Sequence, residues 1–115
     1  MEYSVSRSGT SLVTLHEGTD TTACRAARAE VTDGLAERGD DAITDWSITD
    51  TSVYEHPSAP FDPYTITVSF EVTATVDAPD ADEAERAGTA VIEATLDAIG
   101  LDAITYTAPA AATAD

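Results

Sequence analysis

The residues best suited to chemistry stand in one proline-rich segment, residues 54–63. Its candidate binding residues lie within nine positions: Tyr54, Glu55, His56, Phe61 and Asp62. A histidine beside carboxylates can bind a metal ion or transfer protons near neutral pH, and loops carry functional residues more often than cores do. No known metal-ligand spacing is matched. The alternative is that the three prolines stiffen a long connection while the aromatic residues cover the end of a sheet. The segment therefore predicts binding residues but no metal site.

A second cluster surrounds the start of the first predicted helix. His16 ends the preceding strand, and Glu17, Asp20 and Cys24 open the helix. A helix N-terminus attracts anions and can lower the pKa of a thiol. However, Cys24 falls one turn inside the helix, near its buried stripe, where a lone cysteine usually acts as a small hydrophobic residue. His16 is therefore a candidate binding residue, and Cys24 is not.

Two arginines, Arg25 and Arg86, occupy equivalent positions in an internal repeat described below. Each can pair with acidic neighbours in its own helix, as Arg86 can with Asp82 and Glu83. Alternatively, both arginines hold an anion between the two halves of the protein. Neither hypothesis makes them catalytic, and no catalytic residue or cofactor is predicted.

The element that must position these residues is a strand over residues 64–77. Apolar and polar residues alternate along it, so that one face is buried and the other is wet. Pro79 ends the strand because proline has no N–H for a ladder. The buried set is Tyr64, Ile66, Val68, Phe70, Val72, Ala74 and Val76.

A helix and a further strand follow. Asp80 stands at the N-cap position with Glu83 three residues later, the spacing of a capping box. An apolar stripe then runs to Gly100, which predicts the C-terminal stop, and residues 103–107 indicate a strand. Residues 64–107 therefore predict a β-α-β unit.

This unit recurs after a shift of 61 residues. Ten of the 22 residue pairs between 23–44 and 84–105 are identical without a gap, and six of those identities are not alanine. A duplicated β-α-β predicts an α+β domain with ferredoxin-like βαββαβ architecture. Its antiparallel sheet has the order 4-1-3-2, with two helices on one face. The name is architectural, since one cysteine cannot hold an iron–sulfur cluster.

One domain is predicted over residues 1–107. Its half-repeats are residues 1–46 and 62–107, joined by the loop 54–63, and residues 108–115 are predicted as a disordered tail. The first strand is interrupted near Ser8-Gly9, which predicts a bulge or kink, or instead a tight hairpin.

Three other boundaries are predicted. Thr19 or Asp20 caps the first helix, which ends at Gly39. The second strand, residues 42–53, needs a phase change near Asp45 to reconcile its two apolar parities.

Charge is the strongest compositional signal. There are 22 acidic residues against five arginines and no lysine, for a net charge of −17. This composition is typical of proteins from extreme halophiles, whose molar internal salt screens the repulsion. No signal peptide or membrane-length apolar run is present, so we expect a cytoplasmic, high-salt location and no membrane partner.

RNA-recognition modules share this topology and stack bases on exposed aromatic residues of the central strands. The wet face of residues 64–77 is instead rich in threonine and carries no basic stripe, so no nucleic-acid partner is predicted. Such a face favours self-association. We expect a non-catalytic binding or assembly module, homo-oligomeric, with a small ligand possible. The alternatives are a small enzyme that uses His56 or His16 with nearby carboxylates, and a structural component of a larger assembly.

Overall fold

The computed structural model describes residues 1–38, 41–59 and 62–114. The chain forms an α+β fold with five strands and two helices. In chain order these are β1 (Glu2–Leu15), α1 (Asp20–Arg38), β2 (Ile43–Glu55), β3 (Tyr64–Asp77), α2 (Ala81–Ala98), β4 (Asp102–Tyr106) and β5 (Ala111–Ala114).

The sheet is antiparallel, with β1 and β3 at its centre. The strand order is β2-β3-β1-β4, which is the predicted order 4-1-3-2 in reverse, and β5 also pairs with β1. The disordered tail predicted for residues 108–115 is therefore wrong over β5, which pairs with residues 3–6 of β1. Ala110 and Ala112 pack against a small apolar cluster that includes Tyr3 and Val5. This tertiary packing orders a segment that has no periodic pattern of its own.

β1 is one continuous strand. Its register with β3 runs unbroken from the Glu2–Asp77 pair to the Leu15–Tyr64 pair, so neither the hairpin nor a kink against β3 forms at Ser8-Gly9. The irregularity lies against β4, between Thr10 and Leu12. A Cβ on Gly9 would lie 2.7 Å from the Thr105 carbonyl oxygen and 3.0 Å from the Phe70 ring. Because Gly9 has no side chain, it leaves room for the close approach of the β4 backbone and of the Phe70 ring.

The phase change in β2 is confirmed. Its register with β3 shifts between Ile43 and Asp45, and shifts again between Ile48 and Asp50 and before Glu55. Each extra residue changes which parity faces inward. As a result, Ile43, Trp46, Ile48 and Val53 all reach the same core.

Both helices pack on one face of the sheet. The alternating apolar residues of β3 form the centre of the core. α1 contributes Ala23, Ala27, Val31 and Leu35, and α2 contributes Ile92 and Leu96. The small residues let the helices approach closely, since a Cβ on Gly88 of α2 would overlap the buried Val5 side chain.

The predicted ends of α2 are confirmed. Asp80 Oδ1 accepts a hydrogen bond from the Glu83 N–H at 2.9 Å. At the other end Gly100 has a φ of 79°, and the N–H groups of Gly100 and Leu101 bond to the carbonyls of Asp97 and Leu96. This is a Schellman motif. Gly39, the predicted stop of α1, lies outside the described residues. No helix in the described part of the chain has the length and apolar character needed to cross a bilayer.

Candidate functional site

The two candidate clusters meet at one end of the sheet. Because Leu15 pairs with Tyr64, the segment that leaves β1 lies beside the loop that enters β3. An open cleft of about 510 Å³ lies between them. Its lining comes from both segments: Glu17, Gly18, His56, Pro57, Ser58, Ala59, Asp62 and Tyr64. The predicted strand order places β1 beside β3, but no local pattern in the sequence gives the register that brings these two segments together.

Asp20 and His56 make the contact that joins the two segments. Asp20 Oδ2 lies 3.2 Å from His56 Nε2, although the residues are 36 positions apart. Both side chains are more than half exposed. Asp20 is available because Thr19 caps α1: Thr19 Oγ1 accepts a hydrogen bond from the Thr22 N–H at 3.2 Å. Of the two predicted caps, Thr19 caps the helix, and Asp20 contacts His56.

Tyr64 forms the inner wall of this site. Its side chain is 9 % exposed, and its ring lies edge-on to the His56 ring, with 6.2 Å between centroids. Burial raises the pKa of the Tyr64 hydroxyl, and a hydrogen bond to the Asp20 carboxylate raises it further. The hydroxyl is therefore a protonated donor throughout the physiological pH range. His56 therefore contacts both Asp20 and Tyr64.

The loop that carries His56 is held in shape by its own hydrogen bonds. Ser58 Oγ donates to Asp62 Oδ2 at 2.8 Å, and the Asp62 N–H donates to the Ala59 carbonyl at 3.0 Å. The loop therefore presents a carboxylate and a hydroxyl at the mouth of the cleft.

The chemistry of the cleft is that of a hydrogen-bond acceptor. Glu17 and Asp62 line the cleft as exposed carboxylates, and Asp20, also exposed, lies beside the cleft against His56. Among residues 1–38, 41–59 and 62–114, no three His, Cys, Asp or Glu side chains are grouped so as to hold a metal ion. The arrangement suits a ligand that donates hydrogen bonds or carries positive charge.

The other predicted binding residues do not line the cleft. Tyr54 is 65 % exposed at the end of β2, and its neighbour Glu55 is also exposed. His16 is exposed just after β1. Phe61 lies outside the described residues. Cys24 is half-buried and packs against the core, as expected of a small hydrophobic residue.

The two arginines of the repeat are exposed on their helices. Arg86 Nη1 lies 3.3 Å from Glu83 Oε1, one turn earlier in α2, so the predicted pairing of Arg86 with Glu83 is confirmed. An exposed pair of this kind adds little stability. An anion held jointly by Arg25 and Arg86 stays a prediction.

A further polar contact lies on the helix-facing side of the sheet, between Arg7 of β1 and Tyr106 of β4. The Arg7 guanidinium carbon lies 3.8 Å from the centre of the Tyr106 ring, a cation–π contact. Burial raises the pKa of Tyr106, the charge of Glu93 raises it further, and Arg7 opposes both. Arg7 Nε is buried without a hydrogen-bond partner among the described residues. In the sequence, this contact is indicated by Arg7 itself, a charged residue at a position of β1 where the alternation calls for an apolar side chain.

Comparison of the chain with protein-family models, with curated proteins and with solved structures finds no match. The proposals that follow therefore rest on the geometry and charge of this chain alone.

Proposed function

We propose that the protein is a small, non-catalytic binding and assembly module of a high-salt cytoplasm, and that its ligand site is the cleft at Asp20 and His56. The observation that carries this proposal is the 3.2 Å contact between those side chains. It joins two segments with chemically capable residues beside one open cleft. The self-association in this proposal is predicted from the threonine-rich face of the sheet.

The exposure of the cleft supports binding over catalysis. Electrostatic catalysis is strongest where water is excluded from fixed dipoles, whereas the Asp20 and His56 side chains are 57 % and 66 % exposed. The hydroxyl of Ser58 donates its hydrogen bond to the Asp62 carboxylate rather than to a histidine. A small organic cation with N–H donors is the ligand class that these acceptors fit.

Amide NMR in 2 M KCl tests this site with methylguanidinium as the probe. We expect shifts confined to residues 17–20 and 56–64, and we expect Asp20→Asn and His56→Asn to weaken them about tenfold or more. His16→Asn is the matched control, since His16 is exposed nearby but does not line the cleft. Equal binding by the wild type and both cleft variants would overturn the assignment.

A small acid–base enzyme is the second candidate, and the Asp20–His56 contact also favours it. A carboxylate on Nε2 holds the ring tautomer that leaves Nδ1 as an acceptor, and hence as a base. His56→Ala and His16→Ala separate the candidates. A binding module keeps its fold and assembly in both variants and has no turnover to lose, whereas an enzyme loses a defined turnover in the His56 or His16 variant.

We also propose that the domain is a ferredoxin-like duplication. The sheet order and the placement of both helices on one face support this, as does the 61-residue repeat. Superposition of residues 62–107 on residues 1–46 tests it. A duplication requires a rotation near 180°, and a rotation far from that value would contradict it.

A further inference from the structure

The contact with Asp20 fixes which ring nitrogen of His56 carries a proton. Asp20 Oδ2 lies 3.2 Å from His56 Nε2, and an ionised carboxylate can only accept a hydrogen bond. The proton of a neutral His56 ring therefore lies on Nε2, and Nδ1 keeps an electron pair that can accept a hydrogen bond. Nδ1 is thus the ring atom that can receive an N–H group of a ligand.

Uptake of a second proton by His56 takes place at Nδ1, because Nε2 already carries one. Nε2 donates to Asp20 before and after this step, so the contact between the loop and α1 is kept. Two properties of the ring change together: Nδ1 becomes a donor, and the ring gains one positive charge. Both changes oppose a ligand that donates N–H groups and carries positive charge.

The groups around His56 restrict this change to mildly acidic pH. Those that contact His56, adjoin it in the chain or share its cleft are Glu17 after β1, Asp20 on α1, Glu55 in β2, Asp62 in the loop and Tyr64 on β3. Carboxylates ordinarily titrate at about pH 4 and histidines at about pH 6.5, and burial raises the pKa of the Tyr64 hydroxyl above 10.0. No arginine stands among the described residues that line the cleft. Between about pH 5.5 and 8, the charge beside the cleft therefore changes at the histidine.

We infer that a cationic ligand binds in the cleft only as His56 gives up the proton on Nδ1, so that the site binds at neutral pH and releases its ligand as the pH falls. The inference rests on the ligand site of the proposed function and names how that site is regulated. A proton and a ligand N–H group compete for the same electron pair, and the displaced proton passes to solvent, since the His56 side chain is 66 % exposed. The coupling is reciprocal: the ligand must lower the pH at which His56 is half-protonated.

Titration of the wild type with methylguanidinium in 2 M KCl at pH 5.5 and pH 8 tests this coupling, with amide NMR as the readout and the fold monitored by circular dichroism. The probe keeps its charge at both values, because guanidinium groups lose a proton only above about pH 12. We expect the Kd to be about fivefold or more weaker at pH 5.5, where about nine in ten ordinary histidines are protonated. His16→Asn should keep this pH dependence, whereas His56→Asn should bind with one weak affinity at both values.

The proton titration of the His56 ring provides a second measurement that needs no variant. At a free probe concentration ten times the Kd measured at pH 8, the midpoint of the His56 ring-proton shifts should fall by about 0.7–1 pH unit. The midpoint for His16 should not change, since His16 does not line the cleft.

The outcomes separate the coupling from the ligand site itself. A Kd that is equal at pH 5.5 and pH 8, a His56 midpoint that stays fixed while cleft amides shift, or a pH dependence lost in His16→Asn instead overturns the proton coupling and leaves the ligand site standing. Absence of shifts in residues 17–20 and 56–64 at both pH values overturns the ligand site, and the coupling with it.

Discussion

Lowering KCl from 1 M to 0.1 M should destabilise the fold by about 4–5 kcal/mol, an effect set by the net charge of −17. The radius of gyration is 15.5 Å, which corresponds to a sphere of about 20 Å radius. Spread over that sphere, the charge repels itself by about 10 kcal/mol at a Debye length of about 10 Å, and by about 4 kcal/mol at about 3 Å.

The unfolded chain carries the same charge over a larger volume. Its radius of gyration is about 35 Å, so its self-repulsion is about 2–3 kcal/mol at 0.1 M and about 1 kcal/mol at 1 M. The electrostatic penalty of folding is the difference between the two states, about 7–8 kcal/mol at 0.1 M and about 3 kcal/mol at 1 M. The change is comparable with the whole stability of a small domain, about 5–15 kcal/mol.

Urea unfolding followed by circular dichroism at 0.1, 0.3, 1 and 3 M KCl measures this change. If screening is the cause, choline chloride should change the free energy of unfolding as much as KCl does at the same ionic strength. The matched variant neutralises four exposed helix residues, Glu30→Gln, Asp33→Asn, Glu37→Gln and Asp97→Asn. Repulsion scales with the square of charge, so a net charge of −13 should reduce the salt effect to about 2–3 kcal/mol. Equal stability at 0.1 M and 1 M, or the same salt effect in the variant, would refute the reasoning.

Three further predictions concern single residues. Gly88→Ala should lower the free energy of unfolding by about 1–2 kcal/mol in urea melts, because overlap with buried Val5 outweighs the helix propensity of alanine; greater stability would contradict this packing. Asp80→Ala should lower the free energy of unfolding by about 1 kcal/mol through loss of the α2 cap, while Asp82→Ala, two residues later, should lower it less; equal losses would argue against the cap. The pKa of Tyr64 is raised above its ordinary value of 10.0 in the folded protein. The stability that the protonated Tyr64 hydroxyl contributes is therefore complete below pH 10 and is lost as the pH rises through the folded-state pKa. Tyr64→Phe should flatten this loss of stability at alkaline pH in urea melts, and an unchanged loss would count against a raised pKa.

Much of the fold can be predicted because local signals agree with tertiary packing. The alternation in residues 64–77, the Asp80 cap and Gly100 each predict an element that the structure contains. β5 could not be predicted, because its sequence, Ala-Ala-Thr-Ala, has neither apolar alternation nor strong strand propensity. Packing of Ala112 beside Tyr3 and Val5 orders it instead.

The candidate site also has one part that the sequence predicts and one part that it does not. Residue types alone predict the importance of His56 and of the acidic start of α1, since a histidine and carboxylates can bind ligands or transfer protons. Their contact requires that Leu15 pair with Tyr64, a long-range register that no local pattern encodes. The role of Asp20 depends further on Thr19 taking the cap, a choice between two competent residues that only the folded geometry decides.

The most direct test of the proposed binding site is the amide NMR titration with methylguanidinium in 2 M KCl, with His56→Asn beside the wild type. The Asp20–His56 cleft predicts saturable shifts in residues 17–20 and 56–64 of the wild type that largely disappear in the variant. Shifts scattered over both helices, or shifts in the cleft that persist unchanged in His56→Asn, would contradict a ligand site at the cleft.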